Sequence, residues 1–268
     1  MKQYHRVLTI AGSDSGGGAG IQADIKAISA CGCYAASAIT AITVQNTLGV
    51  QSVMPIPTDI VRQQITAVLD DIGADAVKIG MLHSEEVVLG VAEVLRKYAI
   101  PHIVLDPVMV STSGHRLIES SAIEAMTREL FPLARVITPN IPEAEMLLGT
   151  TIPDSTEALH ESARHLAERF HVSVLLKAGH LSGDTLIDIL YDCMTDQLLE
   201  LPSHRIETRN THGTGCTLSS ALASFLALGQ SLPDASLSAK AYITRAIQAG
   251  ADYEIGHGHG PVNHFLLK

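Results

Sequence analysis

The chain has 268 residues, a formal net charge of −10, 46% apolar residues and no tryptophan. This acidic composition argues against a general nucleic-acid surface, because phosphate binding requires a basic face. Its four cysteines do not suggest a disulfide framework in a chain of this length. The first apolar run is too short for a signal peptide, and no stretch approaches the ~20 apolar residues of a membrane span. We therefore expect a reduced, soluble, cytoplasmic protein.

Short apolar strands alternate with longer amphipathic helices along the chain. Strands are predicted over residues 6–12, 36–44, 75–80, 102–107, 135–140 and 172–179. Helices are predicted over residues 58–73, 84–99 and 155–170, where apolar residues recur every three or four positions. Near-continuous apolar strands suit a parallel sheet that is covered on both faces. The alternation therefore predicts an α/β fold with a mostly parallel central sheet flanked by helices on both faces.

Two closely spaced runs, 185–192 and 197–204, predict a small antiparallel hairpin at one edge of that sheet. No linker, low-complexity block or internal repeat divides the sequence. We expect residues 1–268 to form a single domain.

Polar residues and glycines follow the predicted strands at the point where each strand ends. They are Gly12, Gly80, Asp106, Asn140 and Lys177. In open α/β sheets ligands bind beyond the carboxyl ends of the strands, so these residues are expected at one ligand-binding edge. The alternative is that strands end in turns, which favour Gly, Asn and Asp-Pro. A lysine at the end of a buried strand fits that alternative poorly.

The first glycine-rich loop follows the first strand and opens the first helix. It contains Gly16, Gly17, Gly18 and Gly20, more glycines than one tight turn requires, and each has an entropic cost on folding. It is not a P-loop, because the required lysine and Ser/Thr do not follow. Backbone that closely approaches a ligand explains the glycines better. Asp24 is either a surface acid near the helix start or a ligand contact.

The second glycine-rich loop reads "RNTHGTGC" and runs into an apolar helix that ends near Gly229. Gly213 and Gly215 allow consecutive N–H groups to point together, forming an anion cup at a helix N-terminus. We expect the helix end and nearby cations to lower the pKa of the Cys216 thiol. The alternative is that Cys216 is a small buried apolar residue.

An anion cup together with Lys177, Asp106 and Glu143 suggests phosphoryl transfer from a nucleotide with Mg²⁺. Such chemistry depends mainly on positioning and charge neutralisation. Glu143 has a structural alternative, because acids are favoured in the first turn of a helix and Pro142 suits such a start.

Seven segments carry a resemblance to a known family. They occur in the order "GSDSGGGAGIQAD", "AITVQNT", "VKIGML", "VLDPVMVSTSG", "ITPNIPEAEMLLG", "LLKAGH" and "THGTGC". The chain closely resembles the hydroxymethylpyrimidine/phosphomethylpyrimidine kinases of thiamine biosynthesis, in the ribokinase-like superfamily, over nearly its entire length. The resemblance implies ATP-dependent phosphorylation of 4-amino-5-hydroxymethyl-2-methylpyrimidine and then of its monophosphate. Ala178 departs from the glycine expected after the lysine, which leaves Lys177 in place.

The resemblance also implies a role for individual residues. The substrate pocket is implied to contain Gly12, Asp24, Gln45, Met81 and Val108. The amide of Gln45 would bond the aminopyrimidine edge, since an amide both donates and accepts.

The nucleotide phosphates are implied to contact Lys177, Asn140 and Thr211. Asp106 and Glu143 are implied to act through Mg²⁺ and its waters, because hard cations prefer oxygen ligands.

The catalytic group is implied to be Gly213, Thr214, Gly215 and Cys216. Their amides would hold the transferring phosphoryl group, and Cys216 would take the hydroxyl proton. Most ribokinase-like sugar kinases have an aspartate at the position of this thiol.

Several alternatives remain at the level of sequence. His257, His259 and His264 suggest either a metal site or, as we prefer, a polar turn that closes the domain near the nucleotide. A pyridoxal kinase has the same chemistry with a different heteroaromatic alcohol, and a sensor that binds the ligand without catalysis is a rival of another class. Gln45 and Met81 favour the pyrimidine, and Cys216 favours an enzyme. A homodimer is the family expectation, with no nucleic-acid or membrane partner.

Overall fold

The computed structural model describes residues 2–109, 118–178 and 184–266. The strands are β1 (Arg6–Asp14), β2 (Tyr34–Asn46), β3 (Gly49–Pro55), β4 (Ala76–Ile79), β5 (Ile103–Leu105), β6 (Val136–Ile137), β7 (Ser173–Leu176), β8 (Thr185–Asp192) and β9 (Gln197–His204). The helices are α1 (Gly20–Ala30), α2 (Thr58–Asp71), α3 (Glu85–Leu95), α4 (Ser120–Glu129), α5 (Ile141–Leu148), α6 (Thr156–Phe170), α7 (Thr214–Ala227) and α8 (Leu232–Gly250), with a 3-10 turn at Phe131–Leu133. Within the described ranges, no helix is long and apolar enough to cross a membrane.

The strands form one nine-stranded sheet in the order β3-β2-β1-β4-β5-β6-β7-β8-β9. Neighbouring strands from β2 to β7 in this order are parallel, and the pairs β3–β2, β7–β8 and β8–β9 are antiparallel. The predicted α/β sheet and its antiparallel hairpin are confirmed. The sequence does not predict β3, because most of its residues are exposed and it lacks the apolar run of a buried strand.

Helices cover both faces of the sheet and enclose two apolar cores. One core packs the sheet against α2 to α6, and the other packs it against α1, α7 and α8. Within β4, Val77 and Ile79 belong to the first core and Ala76 to the second. Because side chains alternate between the faces of a strand, Lys78 lies on the same side as Ala76. A lysine therefore enters the second core.

Lys78 forms a fully buried ion pair with Asp24. Its Nζ lies 2.8 and 3.0 Å from the two carboxylate oxygens, and both side chains are 0% exposed. Thr9 Oγ1 and Ser220 Oγ donate to the same carboxylate at 2.6 and 2.8 Å. One carboxylate thus joins α1, β1, β4 and α7.

We expect Lys78→Met to lower the free energy of unfolding by about 3–5 kcal/mol, because it leaves the Asp24 carboxylate buried without its cation. Adding Asp24→Asn to this variant should recover much of the loss, since it removes the unpaired charge while the amide oxygen still accepts from one of the two hydroxyl groups. Urea unfolding of both variants measures the two effects.

The matched control is Lys97→Met, which removes a lysine from an exposed pair with Glu93, 3.3 Å apart. Exposed pairs contribute roughly 0–1 kcal/mol. Equal losses in the Lys78 and Lys97 variants would show that the buried pair does not hold these elements together.

Candidate active site

A cavity of about 690 Å³ opens at the carboxyl ends of the parallel strands. Its volume lies within the range of small-molecule sites. The strand ends contribute Gly12, Met81, Asp106, Asn140 and Lys177 to its wall. Of the residues with a predicted role in binding or catalysis, all except Asp24 line this cavity, namely Gly12, Gln45, Met81, Asp106, Val108, Asn140, Glu143, Lys177, Thr211, Gly213, Thr214, Gly215 and Cys216. Gly80, which was also expected at this edge, does not line it. Residues 110–114 and 179–180, parts of two motifs quoted above, lie outside the described residues.

Asp24 requires a correction. Its side chain is fully buried, and its oxygens are bonded by Lys78, Thr9 and Ser220, so it does not reach the cavity wall. The residue that lines the cavity from this pair is Lys78. Sequence reasoning missed Lys78 because it occupies the middle of an apolar strand, although a lysine there is itself a signal, since buried charges are paired or functional.

The first glycine-rich loop is organised around the carboxylate of Asp14. Its Oδ1 accepts from Gly16 N at 2.8 Å, and its Oδ2 accepts from Gly18 N at 3.1 Å and from Ala19 N at 2.9 Å. His212 Nε2 lies 2.9 Å from the same Oδ2. Burial opposes ionisation of Asp14, but hydrogen bonds from His212, Ala19 and Gly16 outweigh it and lower its pKa. Asp14 thereby attaches this loop to the second one.

The second loop forms the N-terminal turn of α7. Gly213 has φ 79°, and a Cβ there would collide with the carbonyl oxygen of Gly18. The position therefore requires glycine for its backbone and for the contact between the loops. The first N–H groups of a helix have no acceptor within it. In α7 they belong to Thr214, Gly215 and Cys216, which line the cavity. Thr214 N already donates to the carbonyl oxygen of Thr211 at 3.3 Å, so the turn can offer the N–H groups of Gly215 and Cys216 to an anion.

The predicted direction of the Cys216 pKa is wrong. Burial raises the pKa of the thiol to about 11, with Asp24 and Asp106 acting in the same direction. Lys78 and a backbone hydrogen bond with Gly20 favour the thiolate but do not outweigh burial. Cys216 is thus a protonated thiol at neutral pH. The sequence indicates that Cys216 lies at a helix N-terminus, but it does not show how deeply the thiol is buried.

Lys177 and Asp106 form an ion pair at the centre of the cavity. Lys177 Nζ lies 2.7 Å from Asp106 Oδ1, and Thr138 Oγ1 donates to the same oxygen at 3.0 Å. Burial opposes both charges, but the pair raises the pKa of Lys177 and lowers that of Asp106. A Cβ on Gly215 would lie 3.2 Å from Lys177 Nζ, which brings the ion pair against the N-terminal turn of α7.

Glu143 lies in the first turn of α5, as its structural alternative predicted, and it also lines the cavity. It forms a capping box with Asn140, in which each side chain accepts from the other residue's backbone N–H at 2.9 Å. Its carboxylate also lines the cavity and accepts from Met109 N at 3.4 Å. Burial raises the pKa of Glu143 to about 7, assisted by Asp106 and opposed by Lys177. The proton on this carboxyl is therefore easily displaced by a cation near neutral pH.

The far wall of the cavity was not predicted from sequence. It is formed by β8, the residues after β9 and α8, and it includes Leu186, Ile206, Ile243 and Ile247. Lys240 and Asp188 close this side with an ion pair of 2.7 Å. No sequence motif marks this wall, because its residues are apolar helix and strand positions that resemble ordinary core.

The C-terminal histidine segment packs against the end of β2 and behind the first turn of α7. Gly258 N and His259 N donate to Thr47, which follows Gln45 and Asn46 at the end of β2. His264 Nε2 lies 2.9 Å from Thr217 Oγ1, behind the first turn of α7. In the part of the chain that the structure describes, no group of three His, Cys, Asp or Glu residues could hold a metal ion.

The chain is similar in sequence to known kinases over nearly its whole length. A family model described as phosphomethylpyrimidine kinase matches residues 14–263. The hydroxymethylpyrimidine/phosphomethylpyrimidine kinase of Rhizobium meliloti (strain 1021) is 49% identical over 258 residues, which cover 96% of this chain and 96% of that protein.

Solved structures are similar along the same length. The crystal structure of phosphomethylpyrimidine kinase from Clostridium difficile 630 is 44% identical with a TM-score of 0.80, over 91% of this chain and 99% of that one. The structure of the pyridoxal kinase from Staphylococcus aureus in complex with ADP is 34% identical with a TM-score of 0.90, over 99% of this chain and 95% of that one. The resemblance found in the sequence is confirmed: the chain belongs to the phosphomethylpyrimidine kinase family and is a phosphotransferase.

Proposed function

We propose that this chain transfers the terminal phosphoryl group of ATP to 4-amino-5-hydroxymethyl-2-methylpyrimidine and then to its monophosphate, in thiamine biosynthesis. One observation carries the proposal: a single cavity is lined by the amide of Gln45, by the Lys177–Asp106 pair and by the N-terminal turn of α7. Acceptor, phosphate and transfer sites therefore lie within reach of one another. All nine strands of the described residues belong to one sheet. We therefore propose that residues 1–268 form one kinase domain.

The acceptor binds between Gln45 and two apolar side chains, Met81 and Val108. An amide matches an aminopyrimidine edge, which offers one donor and one acceptor. A Cβ at Gly12 would lie 2.6 Å from Met81 Cε, so the glycine leaves the space that Met81 needs. The ring is thus held by one polar contact and an apolar wall, as is usual in small-molecule sites.

The nucleotide lies between Lys177 and the apolar far wall. Lys177, Asn140 and Thr211 contact its phosphates, and Ile243 and Ile247 of α8 contact its base. This assignment rests on their place in the cavity and on the positive charge of Lys177.

Asp106 and Glu143 fit a magnesium ion bound together with the nucleotide. Mg²⁺ in kinases uses one or two carboxylates and completes its shell with phosphates and water. The two carboxylates supply that number, and the raised pKa of Glu143 means that it needs a nearby cation to ionise fully at neutral pH. The ion would neutralise phosphate charge, while Lys177 and the amides of α7 orient the phosphoryl group.

Cys216 accepts the hydroxyl proton in this proposal, and the amides of Gly213, Thr214, Gly215 and Cys216 hold the phosphoryl group in transfer. Only the thiolate can accept that proton, so the thiol, whose pKa is about 11, first releases its own proton to solvent in the open cavity. Lys78 and Gly20 are the groups of this chain that favour the thiolate. Phosphoryl transfer with leading bond cleavage needs little help from a base until late in the reaction.

Pyridoxal is the second candidate acceptor. The specific observation that favours it is the TM-score of 0.90 to the pyridoxal kinase from Staphylococcus aureus. Pyridoxal is also a flat heteroaromatic alcohol, so the same apolar wall and anion-binding turn would accept it.

The experiment that tests the function is a coupled kinase assay with Mg-ATP and three separate acceptors: the pyrimidine alcohol, its monophosphate and pyridoxal. We expect the two pyrimidines to give the highest kcat/KM. Activity with pyridoxal alone would replace the first proposal by the second. A sensor without catalysis would bind the acceptors and produce no ADP with any of them.

A homodimer is proposed through the outer face of the β2–β3 hairpin. Ile42, Val44 and Met54 are 44%, 54% and 60% exposed, and Ile42 pairs with Met54 across the strands. Contiguous exposed apolar side chains mark association surfaces. We expect sedimentation equilibrium to give a dimer for the native chain and a monomer for Val44→Glu; the same mass for both would exclude this face.

Gln45→Leu should reduce kcat/KM for the pyrimidine alcohol by roughly 100-fold or more, because a site built around a polar edge loses heavily when its partner is missing. The KM for ATP should change less than about twofold, since Gln45 lies on the acceptor wall. Initial-rate kinetics measures both, and unchanged use of the pyrimidine would remove Gln45 from the site.

Lys177→Ala should lower kcat by roughly 100-fold and raise the KM for ATP, because a charge that stabilises the transferring phosphoryl group is lost. The variant should also be less stable, since Asp106 loses its ion-pair partner. Kinetics below the unfolding transition separates the two effects. Lower stability with native kinetics would make Lys177 a structural residue.

Cys216→Ala should lower kcat by roughly 100-fold, the typical contribution of a general base. Cys216→Asp should keep much more activity, because a carboxylate can accept the proton from the same position. ATP affinity, measured by calorimetry, should be nearly native in both variants.

Alkylation by iodoacetamide gives an independent check on the thiol. The reaction at Cys216 should accelerate as the pH rises toward about 11 and should slow when acceptor is bound, whereas the exposed Cys193 serves as the unprotected control. A Cys216→Ala enzyme with kcat within about twofold of native would mean that the base lies elsewhere.

A further inference from the structure

The amide of Gln45 lies between two groups, and each of them can form a hydrogen bond with only one end of the amide. Gln45 Nε2 lies 3.3 Å from His212 Nε2, and Gln45 Oε1 lies 3.1 Å from Thr43 Oγ1. The two ends of an amide differ only in that the nitrogen donates and the oxygen accepts. The protons on His212 and Thr43 therefore decide which end belongs on which side.

On the His212 side, the proton is fixed by Asp14. His212 Nε2 lies 2.9 Å from Asp14 Oδ2, a carboxylate oxygen that also accepts from two backbone N–H groups. A carboxylate has no proton to give, so the proton of this contact is on His212 Nε2. A nitrogen that carries a proton has no lone pair left to accept a bond from the Gln45 NH₂ group. The amide oxygen can share the Nε2 proton with Asp14, whereas the amide NH₂ group finds no acceptor here.

On the other side, the proton is fixed by Ser13. Thr43 Oγ1 lies 2.9 Å from the carbonyl oxygen of Ser13, which can only accept, so the single hydroxyl proton is used there. The Thr43 oxygen is then left with lone pairs that face the Gln45 amide. Only the amide nitrogen can donate to it. Both sides of the amide thus demand the same orientation.

We propose that the Asp14–His212 pair, together with Thr43, is a positioning unit that holds the Gln45 amide with its oxygen toward His212 and its nitrogen toward Thr43, and so sets which way the acceptor ring faces. This orientation is obtained from the two contacts given at the start of the subsection by rotating the Gln45 amide by a half-turn about its Cγ–Cδ bond.

The consequence for the acceptor rests on the proposed function. In the aminopyrimidine, the ring nitrogen accepts, the neighbouring 4-amino group donates, and the hydroxymethyl group is on the next carbon. The 4-amino group pairs with the amide oxygen on the His212 side, and the ring nitrogen pairs with the amide NH₂ group. His212 precedes Gly213, so the hydroxymethyl group then points toward the N-terminal turn of α7. The opposite amide orientation would turn it away.

The orientation is tested first on the unliganded chain by NMR, with selectively ¹⁵N-labelled glutamine and assigned Gln45 side-chain NH₂ protons. We expect nuclear Overhauser effects from these protons to the Thr43 methyl group. Effects to the ring protons of His212 instead would overturn the proposal. This measurement does not depend on kinase activity, so it decides the orientation even if the chain fails to phosphorylate the pyrimidine and the proposed function falls.

The consequence is tested by kinetics with two acceptors, the aminopyrimidine alcohol and 5-hydroxymethyl-2-methylpyrimidine, which lacks the 4-amino group. His212→Phe should lower kcat/KM by about tenfold for the first acceptor, the effect of one hydrogen bond to the correctly held amide. It should lower kcat/KM less than about twofold for the second, which has no amino group to pair. His212→Gln, which keeps an N–H group for Asp14, should restore most of the loss.

The matched control is His264→Gln, which changes another histidine at the first turn of α7 through its contact with Thr217 but does not touch Gln45. Any effect of this variant should be equal for the two acceptors. An equal loss for both acceptors in His212→Phe would show that His212 only supports the loop, and would overturn the positioning role.

Discussion

The ion pair between Asp24 and Lys78 is the interaction on which the geometry of the cavity depends. It lies under the cavity floor, and its hydrogen bonds reach Thr9 in β1 and Ser220 in α7. The first turn of α7 lines the cavity, so the position of that turn relative to the sheet is fixed by a buried charge pair as well as by apolar packing. Buried pairs of this kind are costly to form and more costly to break, which makes them better suited to fixing geometry than to adding stability.

Two further aspartate–lysine pairs line the cavity, Asp106 with Lys177 and Asp188 with Lys240, and Asp14 contacts His212 beside them. The three lysines that line the wall, Lys78, Lys177 and Lys240, each have a carboxylate partner. A phosphate that binds one of these lysines therefore competes with that partner. This arrangement is consistent with a site that must first accept a neutral alcohol and then, in the proposed second step, a charged monophosphate.

The sequence was most informative where one short motif determines one local structure. The strands with continuous apolar residues could be predicted because burial on both faces produces that pattern. The residues that follow these strands lie at one edge of the sheet because parallel strands run in the same direction. The partner of Lys78, the location of Asp24 and the raised pKa of Cys216 could not be predicted, since each depends on which helix covers which face. The far wall of the cavity, formed by β8 and α8, was also not predicted, because apolar residues that line a cavity have the same sequence pattern as residues that fill a core.

The packing of residues 256–264 has a consequence for the order of assembly during synthesis. Pro261 forms a bridge with His212, Asn210 Nδ2 donates to the carbonyl groups of Gly250 and Tyr253, and Gly258 N donates to Thr47. These contacts join the end of β2 to the loop before α7, yet their parts are translated at widely separated times. On the ribosome the sheet strands emerge before the segment that binds the two loops together. The second core also needs this segment, because Val262 belongs to it. The cavity wall beside Gln45 and His212 is therefore completed only when residues 256–264 close loops such as the one between Thr47 and Gly258, which are 211 positions apart, and closing so long a loop has an entropic cost.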